Sequence, residues 1–410
     1  MVTRTRTRPE RGRNVLGAAL MLVHTGRAPT RSALTAELGV TRATAGAAAG
    51  ELAALGLIRV DTHPTAPPTG THGRPSHRLA VAPRGPVVLA LQVHVDGYRA
   101  ALVGLGGRVV DTRWGCVTVP QEPAAVIDAV VAAGADLLRA TKLRCVGVGM
   151  AVPSAVSEPE GEALDAFNVA WSVGTPVSAE LGAAVRRAGL EGPGGAPPPY
   201  FVGNDANLEA LAEHRHGAGR DARHLLYVTT GHRGVGGALV LDGRLHTGSA
   251  GLALEVGHLT VDPAGRPCRC GGRGCLDVEA DPLAFLQDAG RTPGPEPSLL
   301  RQAVDLLRQS DRDAGVRGAA DLLADRLGLG LAGLVNILNP DRIVLGGLHS
   351  ALLSAQPRRL HAVVAERSLW GRGVPLLPSG IGRAGLVGAA ELAWQPVLDD
   401  PVTALEAAPA

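Results

Sequence analysis

Apolar residues recur at helical spacing near the start of the chain. Val15, Leu16, Ala19, Leu20 and Val23 share one face of a helix predicted over residues 14–24, with Gly26 as its stop. Thr30 offers an N-cap for a short second helix, residues 31–38, that turns Leu34 and Leu38 inward. Gly39-Val40 makes a tight turn, and Thr41 caps a third helix running to about Leu55, with Gly56 just beyond it. Residues 57–60 and 78–81 then read as two antiparallel strands, separated by a Pro- and Thr-rich loop over 62–72. Three helices followed by a hairpin are the parts of a winged helix-turn-helix, whose third helix enters the major groove of DNA.

The pattern then changes period. Residues 87–111 read as strand, turn, strand, glycine, strand, and residues 225–245 repeat that plan, with Gly106-Gly107 and Asp242-Gly243 at corresponding turns. Long Ala/Leu helices over 123–140, 208–217 and 315–338 alternate with such strands, which indicates an α/β body. A duplicated unit of this kind fits the actin-like sugar-kinase architecture, in which two lobes close over a cleft. The predicted organisation is a head over residues 1–85, a first lobe over 86–200 and a second over 201–400. The last helix returns to the first lobe.

Composition sharpens this picture. Aromatic residues are only 2% of the 410, so any core is aliphatic. No run approaches ~18 uninterrupted apolar residues and the N-terminus lacks an apolar leader, so the expectation is a cytoplasmic protein with no membrane partner. Residues 1–85 hold twelve arginines against four acids, leaving +8, so with the chain at +2 the remainder carries −6. A basic head on an acidic body points to a polyanion as partner, here double-stranded DNA. Arg31, Thr41, Arg42 and Thr44 stand at the helix starts, where they can meet phosphate or base edges. Beyond Thr44 the third helix reads Ala-Gly-Ala-Ala-Ala-Gly, which leaves base readout to Arg42 and Thr44. Arg74, in Gly-Arg-Pro of the wing, suits a narrow minor groove.

His258 is followed at +10, +12 and +17 by Cys268, Cys270 and Cys275. One imidazole and three thiolates make a closed tetrahedral set that suits structural Zn2+. The odd number of thiols argues against disulfides, and Cys116 and Cys145 read as small buried hydrophobes.

With this motif stand GNDANLEALAEHRHGAG at 203–219, EVGH at 255–258 and NPDRIVLGG at 339–347. Together they resemble the ROK family of repressors and sugar kinases, whose repressor branch carries the same winged head. The resemblance implies that Asn168, Asn204, Asp205, Glu255, His258 and Asp277 hold sugar hydroxyls, and that His258 is also a metal ligand. Asp277 stands where the family has Glu, and Ser154 replaces a Gly. From the residues alone, Asn204-Asp205 reads first as an Asx turn capping a helix that starts near Ala206.

A kinase of this family needs a first phosphate loop of the form Asp-x-Gly-Gly-Thr. This chain has Gln92-Val93-His94-Val95-Asp96, which removes a carboxylate and both glycines. The second loop keeps Gly234, Gly236 and Gly237 but carries Arg233. The expectation is therefore a protein that is not an enzyme. It is read as a DNA-binding transcriptional regulator, a repressor of carbohydrate-related genes. It senses a sugar effector in a kinase-like cleft and binds its operator as a homodimer or tetramer. The alternative is an ATP-dependent hexose or aminosugar kinase with an accessory head, in which Asp205 would be the base.

Overall fold

The computed structural model describes residues 13–61, 76–95, 97–116, 122–165, 171–295, 298–371 and 373–406. Arg74, Asp96 and Asn168 lie outside the described residues.

The chain opens with three helices and a hairpin: α1 (Arg13–His24), α2 (Arg31–Leu38), α3 (Arg42–Ala54), β1 (Ile58–Asp61) and β2 (Arg78–Val81). The caps explain the boundaries. Thr30 Oγ1 accepts from the Ala33 N–H and Thr41 Oγ1 from the Thr44 N–H, while Gly39 takes the left-handed conformation that ends α2. The strands pair antiparallel, Ile58 opposite Val81.

The first five-stranded sheet has the order β5-β4-β3-β6-β9. Its strands are β3 (Val87–His94), β4 (Gly97–Gly104), β5 (Arg108–Cys116), β6 (Cys145–Val152) and β9 (Tyr200–Asn204). A short pair, β7 (Ala155–Val156) with β8 (Ala163–Asp165), precedes β9. Strands β3, β4 and β5 run antiparallel, and β6 and β9 add in parallel. Every residue of β6 is buried, as a central parallel strand covered on both faces requires. Cys145 is accordingly buried. Cys116 is exposed, against the expectation, because it ends the edge strand β5.

The second sheet repeats that order with β12 (Arg244–Leu245), β11 (Val235–Leu241), β10 (His224–Thr230), β13 (Arg342–Leu345) and β14 (Leu376–Pro378). The antiparallel and parallel halves fall in the same places. Helices α4 (Pro123–Thr141) and α5 (Val177–Arg187) share an aliphatic core with the first sheet. A larger core joins the second sheet to α7 (Leu276–Glu279), α8 (Pro282–Asp288), α9 (Leu299–Leu307), α10 (Ala314–Leu338), α11 (Gly347–Ala355) and α12 (Pro357–Arg367).

Two helices lie between the sheets. One is α6 (Asp205–His216); it begins before the Ala/Leu stretch at 208, at the start the cap reading gives, because Asn204 accepts the Asn207 N–H. The other is α13 (Ala384–Asp399), which presses its backbone on β6: a Cβ on Gly147 would stand 2.9 Å from the Ala393 carbonyl oxygen. A Cβ on Gly388 would collide with the backbone of Leu208, so α6 and α13 cross in direct backbone contact. Fully buried Trp394 of α13 donates from Nε1 to the Val103 carbonyl, 3.3 Å away.

Among the described residues the N-terminal helices share their core with the first sheet and α13. Leu16, Leu20, Val23, Leu34 and Leu52 belong to one apolar cluster with Trp394, Val397 and Leu398. A Cβ on Gly17 would meet the carbonyl oxygens of Leu398 and Asp399 at 2.5 Å, which places α1 on the last turn of α13. Among the described residues no helix is long and apolar enough to cross a membrane.

Candidate functional site

A polar cavity of about 150 Å³ lies between the sheets at the junction of β9 and α6. Asn204, Asp205, Glu255, His258 and Asp277 all line it, so five of the six residues expected to meet a sugar come together. Asn168 lies outside the described residues. The Asn204 amide also has structural work, since Oδ1 caps α6 and Nδ2 donates to the Ser154 carbonyl at 3.0 Å. The capping reading of this residue is therefore borne out. Desolvation, with the Glu255 charge adding to it, pushes the Asp205 carboxyl up to about 6. One oxygen of Asp277 accepts the Val235 N–H at 2.8 Å, so the short acid is spent partly on the β10–β11 loop.

Several cleft residues were missed, Glu209 among them. Glu209 lines the cavity one helical turn after Asp205 and accepts the Tyr227 hydroxyl at 2.9 Å. Desolvation and the Asp205 charge push it up to about 8. The i, i+4 spacing within the quoted 203–219 motif was the available signal. Glu213, a further turn along, is fully buried and accepts from the N–H groups of Ala218, Gly380 and Ile381 and from the Ser379 hydroxyl.

The two hairpin tips face the cavity from opposite sheets. His94 and Val95 come from the β3–β4 tip, and residues 231–234 from the β10–β11 tip. Arg233 does not point free into the cleft, because its Nε donates to Asp281 Oδ2 at 3.1 Å. The retained glycines have a packing reason. Gly234 is left-handed, and a Cβ there would stand 2.5 Å from Asp277 Oδ1; one on Gly237 would stand 2.5 Å from Val256 Cγ2.

The candidate metal ligands converge. His258 Nδ1 and the sulfurs of Cys268, Cys270 and Cys275 lie within 4.8 Å of one another. Cys268 Sγ is 3.7 Å from His258 Nδ1, and Cys270 Sγ is 3.6 Å from Cys275 Sγ. A tetrahedral ion with bonds of about 2.3 Å to sulfur sets neighbouring sulfurs about 3.8 Å apart, so the four residues fit a metal. Left-handed Gly271 and Gly274 turn the chain between ligands. Arg266 then ties the loop to Glu279, with a contact at 2.6 Å.

In the N-terminal unit, Thr41 and Thr44 are exposed and bonded hydroxyl to hydroxyl at 2.9 Å. Arg42 is exposed beside them. Arg31 reaches from α2 toward α3, where a Cβ on Gly46 would stand 3.5 Å from its Nη1.

The ROK family pattern matches residues 88–395. A glucokinase from Halalkalibacterium halodurans is 32% identical over 265 residues, covering 61% of this chain and 76% of its own. A xylose repressor from Caldicellulosiruptor bescii is 29% identical over 240 residues, covering 54% of this chain and 55% of its own. A solved ROK family transcriptional regulator, described as a homologue of the E. coli MLC protein, superposes with a TM-score of 0.74 at 23% identity. It covers 96% of this chain and 99% of its own, a likeness of fold that includes the N-terminal helices.

Proposed function

Because the chain belongs to the ROK family, we propose that it is a cytoplasmic DNA-binding transcriptional regulator, a repressor of carbohydrate-related genes, with a sugar or sugar derivative as effector. The observation that carries this reading is the pairing of a polar cleft with a first tip that lacks the phosphate loop's glycines. Five polar residues converge on a sugar-sized cavity, while His94 and Val95 stand where phosphate needs glycine. The three helices and hairpin at the N-terminus, with fold likeness to a regulator along 96% of the chain, support the DNA-binding half.

In this reading residues 1–85 bind DNA and residues 86–200 and 201–400 form the two lobes. Arg31, Thr41, Arg42, Thr44 and Arg74 face the duplex. Asn168, Asn204, Asp205, Glu255, His258 and Asp277 satisfy the hydroxyls of the sugar, each of which would be costly to leave unpaired in a closed cleft. His258, Cys268, Cys270 and Cys275 hold a zinc ion, which supplies rigidity to the loop and no reaction step. Sugar binding favours one arrangement of the lobes, and a homodimer or tetramer converts that preference into a change of head spacing on two half-sites.

The second reading, an ATP-dependent sugar kinase, is favoured by the glucokinase relatives and by Asp205, whose carboxyl near 6 suits a general base. Binding of the purified protein to the DNA flanking its gene, with a sugar panel at fixed salt, tests the first reading. Calorimetry with Mg-ATP tests the second. Sequence-specific DNA binding changed by one sugar, with no heat from Mg-ATP, is expected. Sugar-dependent ATP turnover without specific DNA binding would overturn the regulator.

A further inference from the structure

A buried polar cluster lies away from the cleft, where four parts of the molecule meet. Glu391 of α13 is fully buried, and its carboxylate is contacted from three sides. His24 Nε2, on the last residue of α1, lies 3.0 and 2.9 Å from its two oxygens. His216 Nε2, at the end of α6, lies 2.8 Å from Oε1, and Arg215 Nη1 donates to Oε2 at 2.7 Å. The fourth part is the turn between β4 and β5. Gly106 N–H donates to His24 Nδ1 at 2.9 Å, and a Cβ on Gly107 would stand 3.1 Å from the His216 ring.

Two histidines and a carboxylate at this spacing could hold a metal ion. The Gly106 bond argues against it. An N–H aimed at Nδ1 needs a lone pair there, so the proton of neutral His24 sits on Nε2 and points at Glu391. A ligating histidine has the opposite arrangement, with its other ring nitrogen donating outward. The cluster is instead a set of charge-assisted hydrogen bonds converging on one carboxylate.

Its position gives it a role. Helix α6 starts in the cleft at Asp205 and ends in this cluster at His216. At ~1.5 Å per residue it is a rod of roughly 17 Å, and its backbone contact with α13 at Leu208 and Gly388 lies near the cleft end, where a fulcrum would be. A tilt of about 10° about that point would move the far end, ~12 Å away, by about 2 Å, well beyond the ~0.5 Å range over which an N–H···O bond persists. The segment after α6 also grips the head: Arg220 donates to the Thr25 carbonyl at 2.8 Å, just past the end of α1.

We propose that Glu391, with His24 and His216, is the joint through which the cleft positions the N-terminal helices: α6 is the lever and the carboxylate its coupling to α1. This rests on the regulator reading for its purpose, though not for its geometry. Glu391 is thus a positioning residue with no contact to the sugar.

The test uses the full-length protein with His216→Phe, which cuts the α6 arm, His24→Phe, which cuts the head arm, and His24→Gln, which keeps a donor and an acceptor. Amide exchange in α2 and α3, which carry none of the cluster's residues, is read first without any sugar. It is expected to rise about tenfold in both Phe variants and to return toward wild type in His24→Gln. Cleft affinity for the sugar is expected to stay at the wild-type value. The sugar's effect on DNA affinity is expected to fall from roughly tenfold or more to about twofold or less. Unchanged α2 and α3 exchange in the Phe variants, or a full sugar response in both, would overturn the joint. So would a second metal ion per chain that His24→Phe removes. Should His24→Phe fail to fold, His216→Phe carries the test alone, since that side chain is 13% exposed. Absence of sugar binding by the wild type would sink the regulator reading, and the exchange measurement would still decide the joint.

Discussion

The two sheets share one plan and differ in what they do with it. Each has three antiparallel strands followed by two parallel ones, and in each the first hairpin ends at the cleft. In the first sheet that hairpin closes from His94 to Gly97 through Val95; in the second it closes from Thr230 to Val235 through two glycines. The strands beneath are nearly all buried in both, so the ladder and its packing hold the topology whatever the tip contains. Chemistry is concentrated on the second side, with the cysteine-histidine cluster, Glu255 and Asp277. The first sheet supplies the core on which the N-terminal helices sit. Glycines at a tip are thus poor witnesses to phosphate. In the second hairpin Gly234 is held by the space Asp277 occupies, and Gly237, within β11, by Val256.

The largest expected effect breaks the second side alone. Cys275→Ser, or metal removal by a strong chelator, takes away a site of a type that contributes on the order of 10 kcal/mol to the segment holding it. Sugar binding by calorimetry is expected to vanish, while the first sheet and the N-terminal helices keep their amide protection. Trp394→Ala is the complementary break. It should cost about 3–5 kcal/mol in chemical denaturation and loosen the first sheet and α1 together, since Trp394 packs with both.

Smaller effects sharpen the contrast within the cleft. Asp205→Asn is expected to weaken sugar binding by about 1.5–3 kcal/mol, the range for a hydrogen bond to a charged group, without changing the melting temperature greatly. Glu209→Gln should act through pH. The Glu209 carboxyl is raised from its ordinary 4.5 to about 8, so its burial costs nothing below pH 4.5, costs more as pH climbs, and levels off above about 8. The variant should therefore melt with wild type near pH 4.5 and progressively above it toward pH 8. An equal difference at every pH would show that the carboxyl stays ionised throughout.

Legibility in the sequence followed the range of the interactions. Thr30, Thr41 and Gly39 announced the first helices because a cap is a contact within three or four residues. The cysteine spacing announced the cysteine-histidine cluster, whose four residues stand within eighteen positions. The apolar pattern alone set the α6 start late, at 208, whereas the Asn204 cap, a contact within three residues, marked it correctly. Cys116 was misjudged because only the strand order reveals that β5 is an edge. The Glu391 cluster had no sequence signal at all, since its partners stand 367 and 175 positions away. Arg74 and Asn168, on which part of the DNA and sugar readings rests, lie outside the described residues.

The seating of Gly17 on the last turn of α13 has a consequence for how the protein is made. The helix that receives the head emerges from the ribosome hundreds of codons after the head itself. With His24 and Glu391 367 positions apart, translation at ~5–20 residues per second leaves α1 waiting on the order of 20–70 seconds for its seat. During that interval its apolar face is open to chaperones and proteases. A chain cut short before Glu391 offers them that face permanently, so quality control favours finished copies over fragments that still carry the arginine-rich end.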